Sequence, residues 1–207
     1  MERCGGAGGR HAADPNVGKV IHTRQNIWDG SWEKTPSMGW MFVPLVEYHG
    51  GGAAATLEPL SEHLDSYEAH LMQNFGSGVQ ACYRGPRLFD TPATRDAVKK
   101  WVGFYRKYRE ILDSDIIHVR RPNGRDLDCM LHVNARLRPR GLAMVYNPTT
   151  QVITKDLRLP LYYTGLTETA RIREKEGPER EYRLDREYNA RLRVSIPARS
   201  ASWFVVE

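Results

Sequence analysis

The chain has 207 residues, 41% of them hydrophobic and 27% charged, with 30 Lys and Arg against 25 Asp and Glu. The apolar fraction is too high for a disordered chain, and the length is enough for a packed core. No run of about 18 apolar residues is present, so we expect no membrane partner. Three widely spaced cysteines without a CxxC pair argue against a disulfide framework and against a zinc ribbon.

The basic residues are concentrated in the second half of the chain. Residues 120–207 hold 17 basic and 11 acidic side chains, whereas residues 1–119 hold 13 and 14. The basic residues alternate with acidic ones, as in Arg171 to Glu176, which is typical of the solvated side of a sheet. A nucleic-acid site would instead concentrate positive charge on one face, so we expect no nucleic-acid partner.

Residues 1–38 are predicted to be an irregular N-terminal segment. Residues 1–9 contain four glycines and no apolar stretch of the kind found in a signal peptide. The true amino terminus and the localisation of the protein are therefore left open.

From Gly39 the sequence predicts two strand–helix units. Trp40 to Val46 is continuously apolar, as in a strand buried on both faces, and Val79 to Tyr83 is a second such run. Between them a helix is predicted, with Ser61 as its N-cap, Gly76 at its C-terminal end and an apolar face formed by Leu64, Tyr67, Leu71 and Phe75.

A second helix is predicted to follow the second strand. Thr91 is expected to cap it and Pro92 to occupy its first position. Its predicted apolar stripe consists of Ala97, Val98, Trp101, Val102, Tyr105, Tyr108 and Leu112. Strands that alternate with helices in this way are typical of a parallel sheet covered by helices.

After Asp115 the pattern changes to short strands without helices between them. The predicted strands lie at Ile116 to Val119, Met130 to Val133, Leu142 to Tyr146, Leu157 to Leu161, Leu192 to Ile196 and Trp203 to Val206. Turn signals such as Asn123-Gly124 separate them, and alternating apolar residues predict antiparallel hairpins in a small sandwich.

The predicted fold class is therefore α/β plus all-β, with three parts. Residues 1–38 form the irregular segment, 39–115 hold the last two strand–helix units of a partial (β/α)8 barrel, and 116–207 form an antiparallel β-sandwich. Two strand–helix units cannot close a sheet alone, which predicts that the chain is the end of a longer protein.

This order of parts resembles the C-terminal end of α-galactosidase-like glycoside hydrolases. The resemblance rests on Gly39 to Leu45, the Trp101 to Leu112 helix, Ser114 to His118, Ala143 to Thr149 and Leu159 to Tyr163. It implies that residues 40–46 and 79–83 correspond to the seventh and eighth barrel strands. It also implies that the nucleophile and the general acid, two carboxylates on the fourth and sixth strands, lie outside this chain.

The resemblance further implies that residues following these two strands contribute to the rim of a sugar site, because barrel sites form at the C-terminal face. The candidate substrate-binding residues are Glu47, His49, Tyr83 and Arg84. Glu47 and His49 precede three glycines and can bond sugar hydroxyls, or they can simply satisfy loop backbone groups. Tyr83 can stack on a sugar while Arg84 donates to it, or Arg84 can pair with Asp90 or Glu47.

Two further patterns have both a functional and a structural interpretation. His63, Tyr67 and His70 share a helical face, but the His-Glu-x-x-His zinc pattern is absent, so we expect no metal site and no cofactor. Tyr162-Tyr163 can bind sugar on the sandwich, although core packing is the favoured interpretation.

The predicted function is that of the C-terminal part of a glycoside hydrolase acting on oligosaccharides or polysaccharides, inactive as an isolated chain. The alternatives are a non-catalytic carbohydrate-binding or interaction module and a structural domain within a larger assembly. Carbohydrate is the expected partner in the first two cases. An exposed barrel edge also predicts self-association of the isolated chain.

Overall fold

The computed structural model describes residues 41–42, 57–78, 80–81 and 87–207. The described residues up to Tyr108 belong to one compact unit, and Arg109–Glu207 belong to a second. The three-part division predicted from the sequence stays a prediction. No helix in these ranges is both long and apolar enough to cross a bilayer.

The first unit contains two short parallel strands, each followed along the chain by a helix. Strand β1 (Met41–Phe42) pairs with β2 (Gln80–Ala81), so the predicted parallel relationship is confirmed for the residues described. Helix α1 (Leu64–Gly76) lies between them in sequence, after a 3-10 turn at Leu60–His63. Helix α2 (Pro92–Leu112) follows β2.

Helix α1 buries the predicted face but begins and ends differently from the prediction. Tyr67, Leu71 and Phe75 are buried, as expected from their helical spacing. Ser61 is not the N-cap, because it lies inside the 3-10 turn, three residues before the helix. Gly76 is the last helical residue, and it is Gly78, with φ +67°, that adopts the left-handed conformation.

Helix α2 begins as predicted, but its buried stripe is rotated. The Thr91 hydroxyl accepts from the Thr94 N–H at 3.4 Å, and the Thr94 hydroxyl accepts from the Thr91 N–H at 3.0 Å. The predicted stripe was wrong at Val102, which is 36% exposed. The buried residues follow steps of three and four from Ala97 through Trp101, Phe104 and Tyr108 to Ile111, and Leu112 is buried as well.

The second unit is built from antiparallel strands, which confirms the predicted change of architecture. Its strands are β3 (Asp115–His118), β4 (Asp128–Val133), β5 (Gly141–Asn147), β6 (Ile153–Pro160), β7 (Thr169–Glu174), β8 (Arg180–Arg183), β9 (Asn189–Ile196) and β10 (Ser200–Val206). One sheet has the order β3-β4-β5-β10-β7-β8, and β6 pairs with β9 in another. We call these two sheets the C-terminal sheets.

The inner faces of the C-terminal sheets share one apolar core. Leu131 and Val145 of the larger sheet belong to the same buried cluster as Leu159, Leu192 and Ile196 of the β6–β9 pair. Alternate residues of β9 are buried and exposed, as the period-two pattern predicted. Strands β4 and β5 are buried at every position, so their second face is covered as well.

Strands β7 and β8 were not predicted from the sequence. β7 buries only Ala170 and Ile172, while β8 buries none of its four residues. Charged side chains fill the remaining positions except Thr169 and Tyr182, and β8 is an edge strand. Such charges discourage pairing of the edge with another chain, at the expense of the apolar signal that identifies a strand.

Candidate functional site

The four residues predicted to bind sugar lie outside the residues that the structure describes. Glu47 and His49 fall between β1 and Leu57, while Tyr83 and Arg84 fall between β2 and Arg87. The structure does describe the strands that lead into both segments and the residues that end them. The described part of the candidate site therefore consists of the residues that flank these two segments.

The strands that precede the two segments, β1 and β2, form a parallel pair. Met41 lies opposite Gln80, and Phe42 lies opposite Ala81, in a parallel pair. The carboxyl ends of parallel strands meet at the same edge of a sheet. The carboxyl ends of β1 and β2, Phe42 and Ala81, therefore lie at one edge of the pair.

The ends of the two segments are joined by a pair of opposite charges. Arg87 donates from Nε to both carboxylate oxygens of Glu58 at 3.2 Å, and from Nη2 to Oε2 at 3.0 Å. The Glu58 side chain is 15% exposed and that of Arg87 is 53% exposed. Contact through two guanidinium nitrogens fixes orientation as well as distance.

A second connection runs from the 3-10 turn to the start of α2. Asp90 Oδ2 accepts the Ser61 N–H at 2.9 Å and the Ser61 hydroxyl at 3.0 Å, and Asp90 Oδ1 accepts the Thr94 hydroxyl at 3.0 Å. Desolvation raises the pKa of Asp90, but the hydrogen bonds from Ser61 and Thr94 together outweigh it and leave the pKa below its ordinary value. Asp90 therefore stays ionised and keeps both partners near neutral pH.

The residues between these two connections are fixed by their backbone while their side chains face solvent. The hydroxyl of the fully buried Tyr67 donates to the Leu88 carbonyl at 2.7 Å. Leu88 and Phe89 are nevertheless 49% and 47% exposed. Residues 87–90 thus form a rigid support with an apolar outer surface.

The two helices of this unit are also held together beside the support. Glu68 Oε1 accepts Lys100 Nζ at 2.5 Å and Trp101 Nε1 at 3.1 Å, and the Phe75 and Tyr105 rings lie 5.4 Å apart. Burial lowers the pKa of His70 to about 4. His70 is therefore a neutral core residue, which agrees with the structural interpretation of the histidine face.

No cluster of His, Cys, Asp or Glu that could hold a metal ion exists within the described ranges. The described part of the chain likewise contains no pair of carboxylates that we assign as a nucleophile and a general acid. The support consists of residues that flank the two segments, and the binding role of those segments stays a prediction.

A second candidate surface lies on the C-terminal sheets, where core packing was the favoured interpretation. That interpretation was wrong, because Tyr162 and Tyr163 are 62% and 63% exposed. Tyr162-Tyr163 belongs to a 3-10 turn, Tyr162–Thr164, that follows β6. The buried residues of this segment are instead Leu161 and Thr164.

Comparison with known proteins places the chain by its fold. No protein-family model and no curated protein matches the sequence. The crystal structure of a candidate alpha-galactosidase/melibiase from Bacteroides fragilis matches 91% of this chain and 38% of its own, with a TM-score of 0.50 and 11% identity. The resemblance inferred from the sequence is therefore confirmed at the level of the fold.

Two crystal structures of AmyP are also similar. One, in complex with maltose, covers 67% of this chain with a TM-score of 0.43 and 9% identity. A variant of AmyP in complex with maltotriose covers 69% of it with a TM-score of 0.44 and 9% identity. The chain spans 34% and 35% of these two structures, so it corresponds to about a third of each.

Sequence reasoning missed the residues that support the candidate site. Ser61 was interpreted as a helix cap and Arg87 was not singled out, although the two bind Asp90 and Glu58 respectively. Each pair is separated by 29 residues in sequence. No local periodicity encodes such a contact, so only the fold reveals it.

Proposed function

We propose that this chain is the C-terminal part of a glycoside hydrolase, with residues 39–115 ending a (β/α)8 barrel and residues 116–207 forming its accessory sandwich. The parallel pairing of β1 with β2, each strand preceding a helix, is the observation that carries the proposal. The fold likeness to the candidate alpha-galactosidase/melibiase supports it over 91% of the chain.

In this proposal the segments that follow β1 and β2 form part of the sugar-site rim. Glu47, His49 and Arg84 bond sugar hydroxyls, and Tyr83 stacks on a ring face. Support comes from the parallel register, because barrel sites form where the strands end. The Glu58–Arg87 and Ser61–Asp90 contacts hold the ends of both segments in place.

The chemical step itself belongs to residues outside this chain. Hydrolysis of a glycosidic bond needs one carboxylic acid to protonate the leaving oxygen and one carboxylate to act as nucleophile or base. The role of this chain is to close the barrel and to position the sugar. Binding in the correct orientation accounts for a large share of the rate enhancement of an enzyme.

An activity assay on the isolated chain tests the proposal. Aryl α- and β-glycosides of galactose and glucose are incubated with the purified chain, and release of the aryl alcohol is followed. We expect no release above the rate in buffer. Turnover that co-purifies with the chain and is lost in Glu47→Gln would overturn the proposal, since the chain would then carry its own catalytic carboxylate.

The rim assignment is tested in the full-length hydrolase that the proposal implies. Arg84→Ala is expected to raise KM about tenfold while leaving kcat within about twofold, because it removes binding rather than chemistry. Arg95→Ala, at an exposed position on α2, is the matched control and should leave both constants unchanged. An equal effect of the two substitutions would contradict the assignment of Arg84.

A further inference from the structure

Three tyrosine rings lie next to one another on the C-terminal sheets, two of them exposed and the third, Tyr188, half-buried. The Tyr162 and Tyr163 ring centroids lie 5.2 Å apart, and those of Tyr162 and Tyr188 lie 5.4 Å apart. We propose that this tyrosine platform (Tyr162, Tyr163 and Tyr188) is a second carbohydrate-binding site, which holds a neutral oligosaccharide by stacking on the apolar faces of its pyranose rings. The inference concerns binding by the C-terminal sheets and goes beyond the proposed role in a hydrolase.

The turn that carries Tyr162 and Tyr163 is held by two buried residues and by hydrogen bonds within the turn. Leu161 and Thr164 are fully buried, and the Thr164 hydroxyl donates to the Leu161 carbonyl at 2.6 Å. The Gly165 N–H donates to the Tyr162 carbonyl at 3.2 Å, with Gly165 at φ +73° closing the turn. Tyr162 and Tyr163 therefore project from a rigid base, and little ordering is needed when a ligand binds.

The third ring is held in place by a strained backbone. Tyr188 has φ +60°, a left-handed conformation that a residue with a bulky side chain rarely adopts. Its N–H donates to the Asp185 carbonyl at 2.9 Å, and its carbonyl accepts the Leu161 N–H at 2.9 Å. The two turns are thereby joined through their backbones, and Tyr188 packs against Tyr162.

Asp185 organises the turn that contains Tyr188. Its Oδ1 accepts the Glu187 N–H at 2.9 Å, the Asn189 N–H at 3.0 Å and the Asn189 side-chain amide at 2.9 Å. Arg158 donates to Asp185 Oδ2 at 3.3 Å and also to Glu187. These contacts give the platform a polar margin whose charged groups can bond sugar hydroxyls.

A shallow pocket lies beside the turn that carries Tyr188. This open pocket, of about 410 Å³, is lined by Tyr182, Leu184, Asn189, Asp185, Glu181, Arg183 and Arg191. Asp185 and Asn189 are shared with the turn that carries Tyr188. The ring centroids of the platform are spaced at 5.2 Å and 5.4 Å, so a ligand that covers it contacts more than one ring, which favours an oligosaccharide.

The size of the apolar surface favours a sugar over a protein partner. A tyrosine buries roughly 200 Å² when fully covered, so two rings at three-fifths exposure present roughly 250 Å². A stable protein interface needs about 800 Å² on each partner. Next to Tyr188 the patch meets charged side chains, because Asp185 and Glu187 of the same turn pair with Arg158.

Calorimetric titration of the purified chain tests this inference. The probes are malto-, cello-, manno- and galacto-oligosaccharides of about three to six units. We expect at least one probe to bind the wild-type chain, and Tyr162→Ala and Tyr163→Ala each to weaken that binding about tenfold. Tyr162→Phe keeps the ring and should remain within about twofold of wild type.

Val152 provides a matched control, because its side chain is 62% exposed and it lies just before the opposite end of β6. Val152→Ala should bind as wild type does. Absence of binding by every probe would overturn the inference, and so would equal losses in Val152→Ala and Tyr162→Ala. Self-association that depends on Tyr162 would also overturn it, by identifying the platform as a protein contact.

The binding titration and the activity assay test the two proposals independently. Binding is measured on the isolated chain and requires no turnover. A failure of the hydrolase proposal in the activity assay therefore leaves the tyrosine platform as it stands, and a failure to bind leaves the hydrolase proposal as it stands.

Discussion

Arg87 donates hydrogen bonds to both carboxylate oxygens of Glu58. Glu58 precedes helix α1 and Arg87 precedes helix α2, so the contact connects the two strand–helix units. The strands of these two units, β1 and β2, are adjacent and parallel. The contact lies within the first unit.

Replacement of Arg87 by lysine is expected to weaken its contact with Glu58. Lysine keeps the charge but cannot reproduce the contact through two nitrogens, so we expect a loss of up to about 1 kcal/mol in the free energy of unfolding. Urea unfolding measures it, with Arg95→Lys on the exposed surface of α2 as the control. Equal effects of the two substitutions would show that the contact contributes nothing specific.

Stability should fall in mildly acidic solution because of His70. Burial lowers the pKa of His70 to about 4 in the folded chain, whereas an unfolded histidine has a pKa near 6.5. The unfolded state therefore binds the proton first, and up to about 3 kcal/mol of stability is lost as the pH falls from about 6.5 to 4. The free energy of unfolding as a function of pH measures this loss.

His70→Gln should flatten that pH dependence, even if it lowers stability at every pH. His63→Gln, which removes a half-buried histidine just before α1, is the control and should keep the wild-type slope. A slope that survives in His70→Gln would contradict the assignment of the effect to His70.

Asn147 should be important for the stability of the C-terminal sheets. Its side-chain amide donates to the Gln151 carbonyl at 2.7 Å and the Ile196 carbonyl at 2.9 Å, and its Oδ1 accepts the Thr149 N–H at 3.0 Å. Asn147→Ala leaves these partners unsatisfied, and we expect a loss of about 2–3 kcal/mol.

Chemical unfolding of Asn147→Ala measures that loss, and Asn123→Ala is the matched control. Asn123 also accepts a backbone N–H within its own turn, from Arg125 at 2.9 Å, but it is exposed. We expect Asn123→Ala to lower the free energy of unfolding by less than about 1 kcal/mol. A smaller loss for Asn147→Ala than for Asn123→Ala would refute the assignment.

The isolated chain is predicted to self-associate through its first unit. Among the described residues β1 pairs only with β2, and Leu88 and Phe89 are about half exposed. Unpaired strand edges and exposed apolar side chains favour association between copies. Sedimentation velocity over a range of concentrations should show oligomers that decrease in Leu88→Ser/Phe89→Ser and persist in Val152→Ser.

The elements with strong periodic patterns could be predicted from the sequence. Helix α2 begins at Pro92 as expected, and β9 shows the alternation of its Leu192, Val194 and Ile196. Strand β8 escaped prediction because its stability comes from pairing with β7 rather than from its own apolar residues. The exposed state of Tyr162-Tyr163 escaped prediction because composition does not distinguish a core aromatic pair from a surface pair.

The four predicted rim residues were not assigned from a periodic pattern. Their assignment came from the position of Glu47, His49, Tyr83 and Arg84 after two apolar runs, combined with a family resemblance. The parallel register of β1 and β2 is consistent with that placement. Their side-chain roles stay predictions, which the substitution of Arg84 addresses directly.

The sequence of the DNA immediately upstream of the codon for Met1 tests the central claim most directly. The account predicts that the open frame continues upstream and encodes six further strand–helix units, with carboxylates at the ends of the fourth and sixth strands of the complete barrel. A stop codon in frame and a ribosome-binding site just before Met1 would contradict it, since the chain would then be a complete protein without the catalytic residues of a hydrolase.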